Sequence, residues 1–176
     1  MTGSSWHEGC PVSPDALRLL RLSYWGFDRR AHVGEMIVDR DVAADVVTVF
    51  RTLFAARFPI QRMHLVDDYG GDDERSMEAN NTSGFNCRFA TGHPGLWSEH
   101  SYGRAVDVNP LLNPYAAADG SIEPANDRRY ADRSRHDPGM IHPGDVVVRA
   151  FASIGWAWGG AWTSVKDYQH FSLSGR

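Results

Sequence analysis

Apolar residues recur along this chain at two different periods, and the changes of period mark out its elements. After Asp41, the residues Val42, Val46, Val49, Phe50, Leu53 and Phe54 follow the i, i+4, i+7, i+8 stripe of an amphipathic helix. Pro59 closes that run, which is the expected main core helix. DALRLLRL, behind Ser13 and Pro14, predicts a shorter capped helix with proline in its first turn and Leu17 and Leu20 turned inward. GEMIVD at 34–39 and MHLV at 63–66 have strand character. VVVRAFASIG, introduced by Pro143, Gly144 and Asp145, predicts a second amphipathic helix ending at Gly155. GWAWGGAW and DYQHFSL then read as a strand, a glycine turn and a second strand.

Between these elements lie two polar stretches. DDYGGDDERS reads as an acidic, solvated loop, because it lacks the alternating Asp spacing and distal Glu of a calcium-binding EF-hand. Residues 109–143 are dense in Pro, Asn, Asp and Gly and are expected to be mostly loop, a length typical of functional lids or insertions. No internal repeat or low-complexity tract is present. Helices mixed with antiparallel-looking strands give an α+β class, a small antiparallel sheet flanked by helices, with residues 1–176 as a single domain.

Composition narrows the functional classes. Apolar residues make up 42% and charged residues 23%, ordinary values for a globular chain. A net charge of -4 gives no basic footprint for nucleic acid. Apolar runs such as VVV at 146–148 are far shorter than the roughly 20 residues of a membrane span. MTGSSWHEGC has neither a basic start nor an apolar run, so the chain is either cytoplasmic or begins after a removed leader. Two cysteines, Cys10 and Cys87, stand far apart and outside any Cys-x-x-Cys pattern, which points away from a thiolate metal site. They fit a single disulfide tying the N-terminal arm to the core, or two buried thiols.

The candidate chemistry lies in two clusters, SEHSYGRAVDVNP and KDYQHFSL. In RAVDVN, Ala105, Asp107 and Asn109 point one way and Val106 and Val108 the other, so Asp107 faces a cleft while the valines pack. The same alternation groups Tyr168, His170 and Ser172, leaving Phe171 and Leu173 for the core face. Two adjacent strands then present Asp107 and His170 to one metal, and His100 arrives from a loop. Two histidines and one carboxylate make a zinc site with an open fourth position, and they leave Asp167 free as a base. Glu99 is the rival base, turned away from the metal by its place beside His100. Trp156, Trp158 and Trp162 have the spacing of core aromatics, and Trp162 is the one assigned to a groove. The other histidines carry no assignment.

The string S-x-H-x-x-G-x-A-x-D-x-N, here Ser98, His100, Gly103, Ala105, Asp107 and Asn109, is followed by G-W-x-W-G-G-x-W and D-x-x-H-F. In combination these resemble the D-alanyl-D-alanine carboxypeptidase-like zinc peptidases. That family includes L-alanyl-D-glutamate endopeptidases and shares its fold with the hedgehog signalling domain. NNTSGFNCR resembles the family's segment ending in a functional arginine, here Arg88, so the matching motifs span about residues 67–173.

The resemblance implies Zn2+ on His100, Asp107 and His170, with Asp167 as general base. Arg88 would stabilise the oxyanion or anchor a substrate carboxylate; apart from the resemblance, Ser83, Tyr102 and Trp162 are expected to contact substrate. It further implies a monomer that cuts peptidoglycan stem peptides outside the cytoplasmic membrane, with its leader absent from this chain. Asp-x-x-His, where several carboxypeptidases have Glu-x-x-His, leans toward the endopeptidase branch. Two other functions compete: a non-catalytic zinc-stabilised binding domain, which needs neither Asp167 nor Arg88, and an intracellular D-alanyl-D-alanine dipeptidase, which needs a small closed pocket.

Overall fold

LRLLRL forms a strand, not the expected helix. In the computed structural model, which describes residues 5–176, only Pro14–Ala16 makes a short 3-10 helix, and β1 (Leu17–Trp25) follows it. β1 pairs antiparallel along its whole length with β2 (Ala31–Asp39), from Leu17 opposite Asp39 to Trp25 opposite Ala31. The spacing of Leu20, Leu22 and Tyr24 is the deciding pattern. Residues two apart share a strand face, and this face packs on the core while Leu19 stays half exposed. Residues 1–4, part of the stretch read above for a leader, lie outside the described residues.

α1 (Ala43–Ala55) is the expected core helix and buries Val46, Val49, Phe50 and Leu53. It ends before Pro59 acts on it. Arg57 takes a left-handed φ of 54°, its N–H donates to Phe54 O, and Phe58 N–H donates to Leu53 O. The MHLV segment is extended but forms no ladder. Met63 O accepts from Glu35 N–H, and the side chain of Asn81 bonds both main-chain groups of His64, replacing a neighbouring strand. The acidic stretch is likewise folded, as a 3-10 helix (Val66–Tyr69) and α2 (Asp73–Glu78). Asp72 caps α2 by accepting from Arg75 N–H, with Asp73 and Glu74 in the favourable first turn.

β3 (Phe89–Ala90) and β4 (His93–Trp97) form a hairpin, followed by a 3-10 helix (Glu99–Tyr102) and β5 (Ala105–Asp107). Residues 109–143 are mostly irregular, as expected, but contribute β6 (Tyr115–Ala116) and β7 (Ile122–Glu123). Arg133 anchors this segment by donating to Leu112 O, Ile141 O and Asn113 Oδ1. α3 (Val146–Ala152) starts at Asp145, whose carboxylate accepts from Val147 and Val148 N–H. β8 (Ala157–Trp158), β9 (Lys166–Asp167) and β10 (His170–Ser172) complete the chain.

Two three-stranded antiparallel sheets result, ordered β5–β10–β8 and β7–β6–β9. The architecture is α+β with small antiparallel sheets. The main core joins α1 and α3 to the inner faces of β1 and β2 and to Val106, Val108 and Phe171. A smaller cluster holds Leu17, Ile37, Phe85 and Cys87, and Cys87 is bonded to Cys10. Of the two arrangements left open for the cysteines, the disulfide is the one present. No helix among the described residues is long and apolar enough to cross a membrane.

Candidate metal centre and cleft

β5 and β10 bring the two halves of the motif together residue for residue. Asp107 and His170 are direct partners in the antiparallel register, with Val106 opposite Phe171 one step away. Val106 and Phe171 are fully buried, so the alternation that commits them to the core commits Asp107 and His170 to the other face. On its second edge Asp107 exchanges both main-chain hydrogen bonds with Ser83.

His100 comes from the 3-10 helix, whose first turn is capped by Ser98 Oγ accepting from His100 N–H. Gly103 ends that helix at φ 68°. A Cβ there would lie 2.5 Å from Asp39 N, so glycine is needed for both conformation and space.

The three side chains converge closely. His100 Nε2 lies 3.1 Å from Asp107 Oδ2, His170 Nδ1 lies 3.0 Å from Asp107 Oδ1, and the two nitrogens are 3.2 Å apart. The remaining ring nitrogens are committed elsewhere. His100 Nδ1–H donates to Gly84 O at 2.6 Å, and His170 Nε2–H donates to the main-chain oxygen of Arg176 at 3.1 Å, which also accepts from Ser172 Oγ. These outer bonds assign the tautomers and leave two nitrogen lone pairs and a carboxylate facing one another.

Three acceptors with no donor among them need a cation. Zinc–nitrogen bonds of about 2.0–2.1 Å put tetrahedral ligands roughly 3.3 Å apart, near the spacings observed, so the donor set fits zinc in chemistry and in size. Without a metal, a proton takes its place. Burial works against a charge on His170, but the hydrogen bond and charge of Asp107 outweigh it and raise the imidazole to about 9. Burial also opposes the Asp107 carboxylate, yet His100 and His170 hold it well below the usual range.

Asp167 stands on β9, in the other sheet, opposite Tyr115 of β6. Gly159 makes room for it, because a Cβ there would meet Asp167 Cβ at 2.8 Å. Its Oδ1 is buried with no partner. Burial pushes the carboxyl up to about 7, with Asp107 adding to the rise and His170, His100 and Arg88 opposing it. Arg88 is held by Asp73, whose Oδ2 accepts from Nη2 at 2.7 Å, while its Nε is buried without a partner. Burial disfavours the guanidinium charge, but Asp73, Asp107 and Asp167 together raise its pKa further. A cleft of about 900 Å³ contains all of these groups.

Tyr102 and Trp162 line the cleft, and the Trp162 ring lies 5.7 Å from that of His170. Ser83 does not line it; the residue is buried behind Asp107 and contributes its backbone. Glu99 lies on the cleft wall, whereas Trp156 and Trp158 are core. Leu173, expected on the core face, is 44% exposed and lines the cleft, because β10 ends at Ser172 and the alternation ends with it.

The residues missed from sequence are Asp73, hidden in the stretch read as a solvated loop, and Tyr115 and Glu123, hidden in 109–143. An N-cap aspartate ahead of acidic first-turn residues was the available signal for Asp73. A second group of ligand-capable atoms, His7, Cys10 and Cys87, has both thiols consumed in the disulfide.

A family model described as D-alanyl-D-alanine carboxypeptidase matches residues 91–173. The matched segment contains His100, Asp107, Asp167 and His170 and leaves out Arg88 and Asp73. No curated protein and no solved structure matches the chain.

Proposed function

We propose, from the match of residues 91–173 to the D-alanyl-D-alanine carboxypeptidase family model, that the chain is a zinc peptidase that hydrolyses peptidoglycan stem peptides. The observation that carries the reading is the set of three convergent acceptors on His100, Asp107 and His170 beside the unpartnered Asp167. Zinc bound there would supply Lewis acidity to the scissile carbonyl and to the attacking water.

The chain's own groups account for the rest. Asp167, with a pKa near neutrality, accepts the proton of the attacking water and returns it to the leaving amine. Arg88, kept charged and aimed by Asp73, faces either the developing oxyanion or a substrate carboxylate. Trp162 packs beside His170 and shields that side of the site.

The cleft volume of about 900 Å³ favours a stem peptide over a free dipeptide, whose small closed pocket it does not resemble. Asp-x-x-His leans the reading toward a cut between L-alanine and D-glutamate, with removal of terminal D-alanine as the alternative. The Cys10–Cys87 disulfide suits a site of action outside the cytoplasm.

The test is mass-spectrometric product analysis of purified muropeptides incubated with zinc-loaded protein, beside chelated protein as control. A single new product, shortened by D-alanine or cut after L-alanine, is expected from the loaded protein alone. No product from any stem peptide, with zinc demonstrably bound, would replace the peptidase by a zinc-stabilised binding domain.

A further inference from the structure

The sheet β7–β6–β9 carries a row of side chains of which the reaction above uses only one end. Tyr115 stands directly opposite Glu123 on one side and directly opposite Asp167 on the other. Directly opposed residues on neighbouring strands project to the same face, and all three line the cleft. Lys166 pairs with Ala116, one step along, and so projects to the opposite face, where its Nζ is taken up by the carbonyls of Gly160 and Trp162.

Of the other cleft acids in the described structure, Asp73 is engaged with Arg88 and Asp107 with the two histidines, while Glu99 stands on the 3-10 helix, away from this sheet. The Glu123 carboxylate has no ion pair or side-chain hydrogen bond among the described residues, and Asp167 Oδ1 is buried without a partner. Burial, together with the charges of Asp167, Glu123 and Asp119, pushes the Tyr115 phenol up, so it remains a neutral hydroxyl. This wall therefore offers acceptors from separate strands and no cation of its own.

We propose that the row is a subsite for a primary ammonium group on the peptide substrate, with Glu123 as counter-charge and the Tyr115 hydroxyl as neighbouring acceptor. The assignment rests on the peptidase reading above. An ammonium carries three donors on a compact charge and matches acceptors spread over several strands. The planar fork of a guanidinium calls instead for a bidentate carboxylate. The amine comes either from the side chain of a diamino acid within the peptide or from the peptide's own N-terminus, and one experiment separates these sources.

Four peptides of one sequence are made, with the side-chain amine and the terminal amine each free or acetylated. Binding is read by calorimetry on metal-free protein, where nothing turns over, and kcat/KM is read on zinc-loaded protein. One of the two acetylations is expected to weaken wild-type binding and kcat/KM by roughly fivefold, the scale of a half-exposed ion pair, and which one does so names the source. Glu123→Gln should lose the preference and Glu123→Lys should invert it. Equal binding of all four peptides by the wild type, or a preference that survives in both variants, would overturn the subsite. Selective binding without cleavage of any peptide keeps the subsite and defeats the peptidase reading. Cleavage blind to both amines does the reverse.

Discussion

The two small sheets that meet at the cleft are built on different principles. β5–β10–β8 has its far side in the main core, where Val106 and Phe171 are fully buried and the Phe171 ring stacks on Phe151 at 4.1 Å. Its register is fixed by that packing, because a slip of one residue would turn Phe171 to the cleft and His170 to the core. β7–β6–β9 is made of two-residue strands drawn largely from the long segment 109–143, and it lies outside the main apolar cluster. It is held by local ties such as Arg133 and the Tyr168 N–H bond to Pro114 O. Two of the three proposed metal ligands, Asp107 and His170, thus sit on the rigid sheet, while Asp167, Tyr115 and Glu123 sit on one that loop variation can remodel. Ligand geometry, which tolerates little displacement, is separated in this way from the wall that selects substrate.

The sharpest way to break this comparison is to remove one cleft-facing side chain from each sheet in turn. His170→Ala removes a first-line ligand and leaves Asp107 with one partner. Zinc affinity should fall by well over the roughly 100-fold that loss of an outer-shell partner costs, turnover should drop to background, and thermal stability should fall with the metal. Asp167→Ala should keep one zinc per chain by metal analysis and lose roughly 10²–10⁴-fold in turnover. It should not lower Tm, since burial already opposes the ionised carboxylate it removes. Normal zinc content in the first variant would sink the ligand assignment, and normal turnover in the second would take Asp167 out of the chemistry.

Arg88 sharpens the comparison from outside both sheets, because it is positioned by α2. Arg88→Ala should retain zinc and lose about 100-fold in turnover, close to 3 kcal/mol of transition-state stabilisation. Asp73→Asn replaces the charged acceptor that aims the guanidinium with a neutral amide and should cost about tenfold, a smaller loss because the guanidinium charge stays in place. Equal, negligible effects would make the Asp73–Arg88 pair a structural tie only.

Much of the rigid sheet was legible in the sequence. Alternation in RAVDVN and DYQHFSL separates core-facing from cleft-facing residues, and that pattern holds wherever one face is buried. It failed at Leu173, one residue past the end of β10, and at Tyr168 and Gln169 ahead of its start, where Tyr168 packs on the core and Gln169 lines the cleft, because no strand is there to enforce it. LRLLRL failed for another reason: its leucines satisfy helical and strand spacing at once, and the nine-residue ladder to β2, a non-local feature, decides between them. MHLV lacks a ladder because the side chain of Asn81 satisfies its backbone. The second sheet was the least legible part. Strands of two residues carry no period, and nothing local to Tyr115 or Glu123 shows that β9 will pair beside them.

A further effect, read in metal affinity and not in turnover, comes from protons competing with metal on the rigid sheet. In the metal-free protein Asp107 raises His170 to about 9, above the ordinary value of about 6.5 for histidine. The contribution of this pair to metal-free stability is therefore fully present below about 6.5 and is lost as pH rises through about 9. Zinc must displace that proton wherever His170 still carries it. Its apparent affinity should rise by about tenfold per pH unit toward pH 9 and then level off, with Asp107 ionised throughout and adding no slope. Chelator competition between pH 6.5 and 9.5 measures this directly. The loaded protein should show no matching decline in Tm, because zinc replaces the proton as the cation between the three acceptors. An affinity flat across this range would mean that His170 is already neutral in the free protein, and that its bond to Asp107 is not what holds the empty site together.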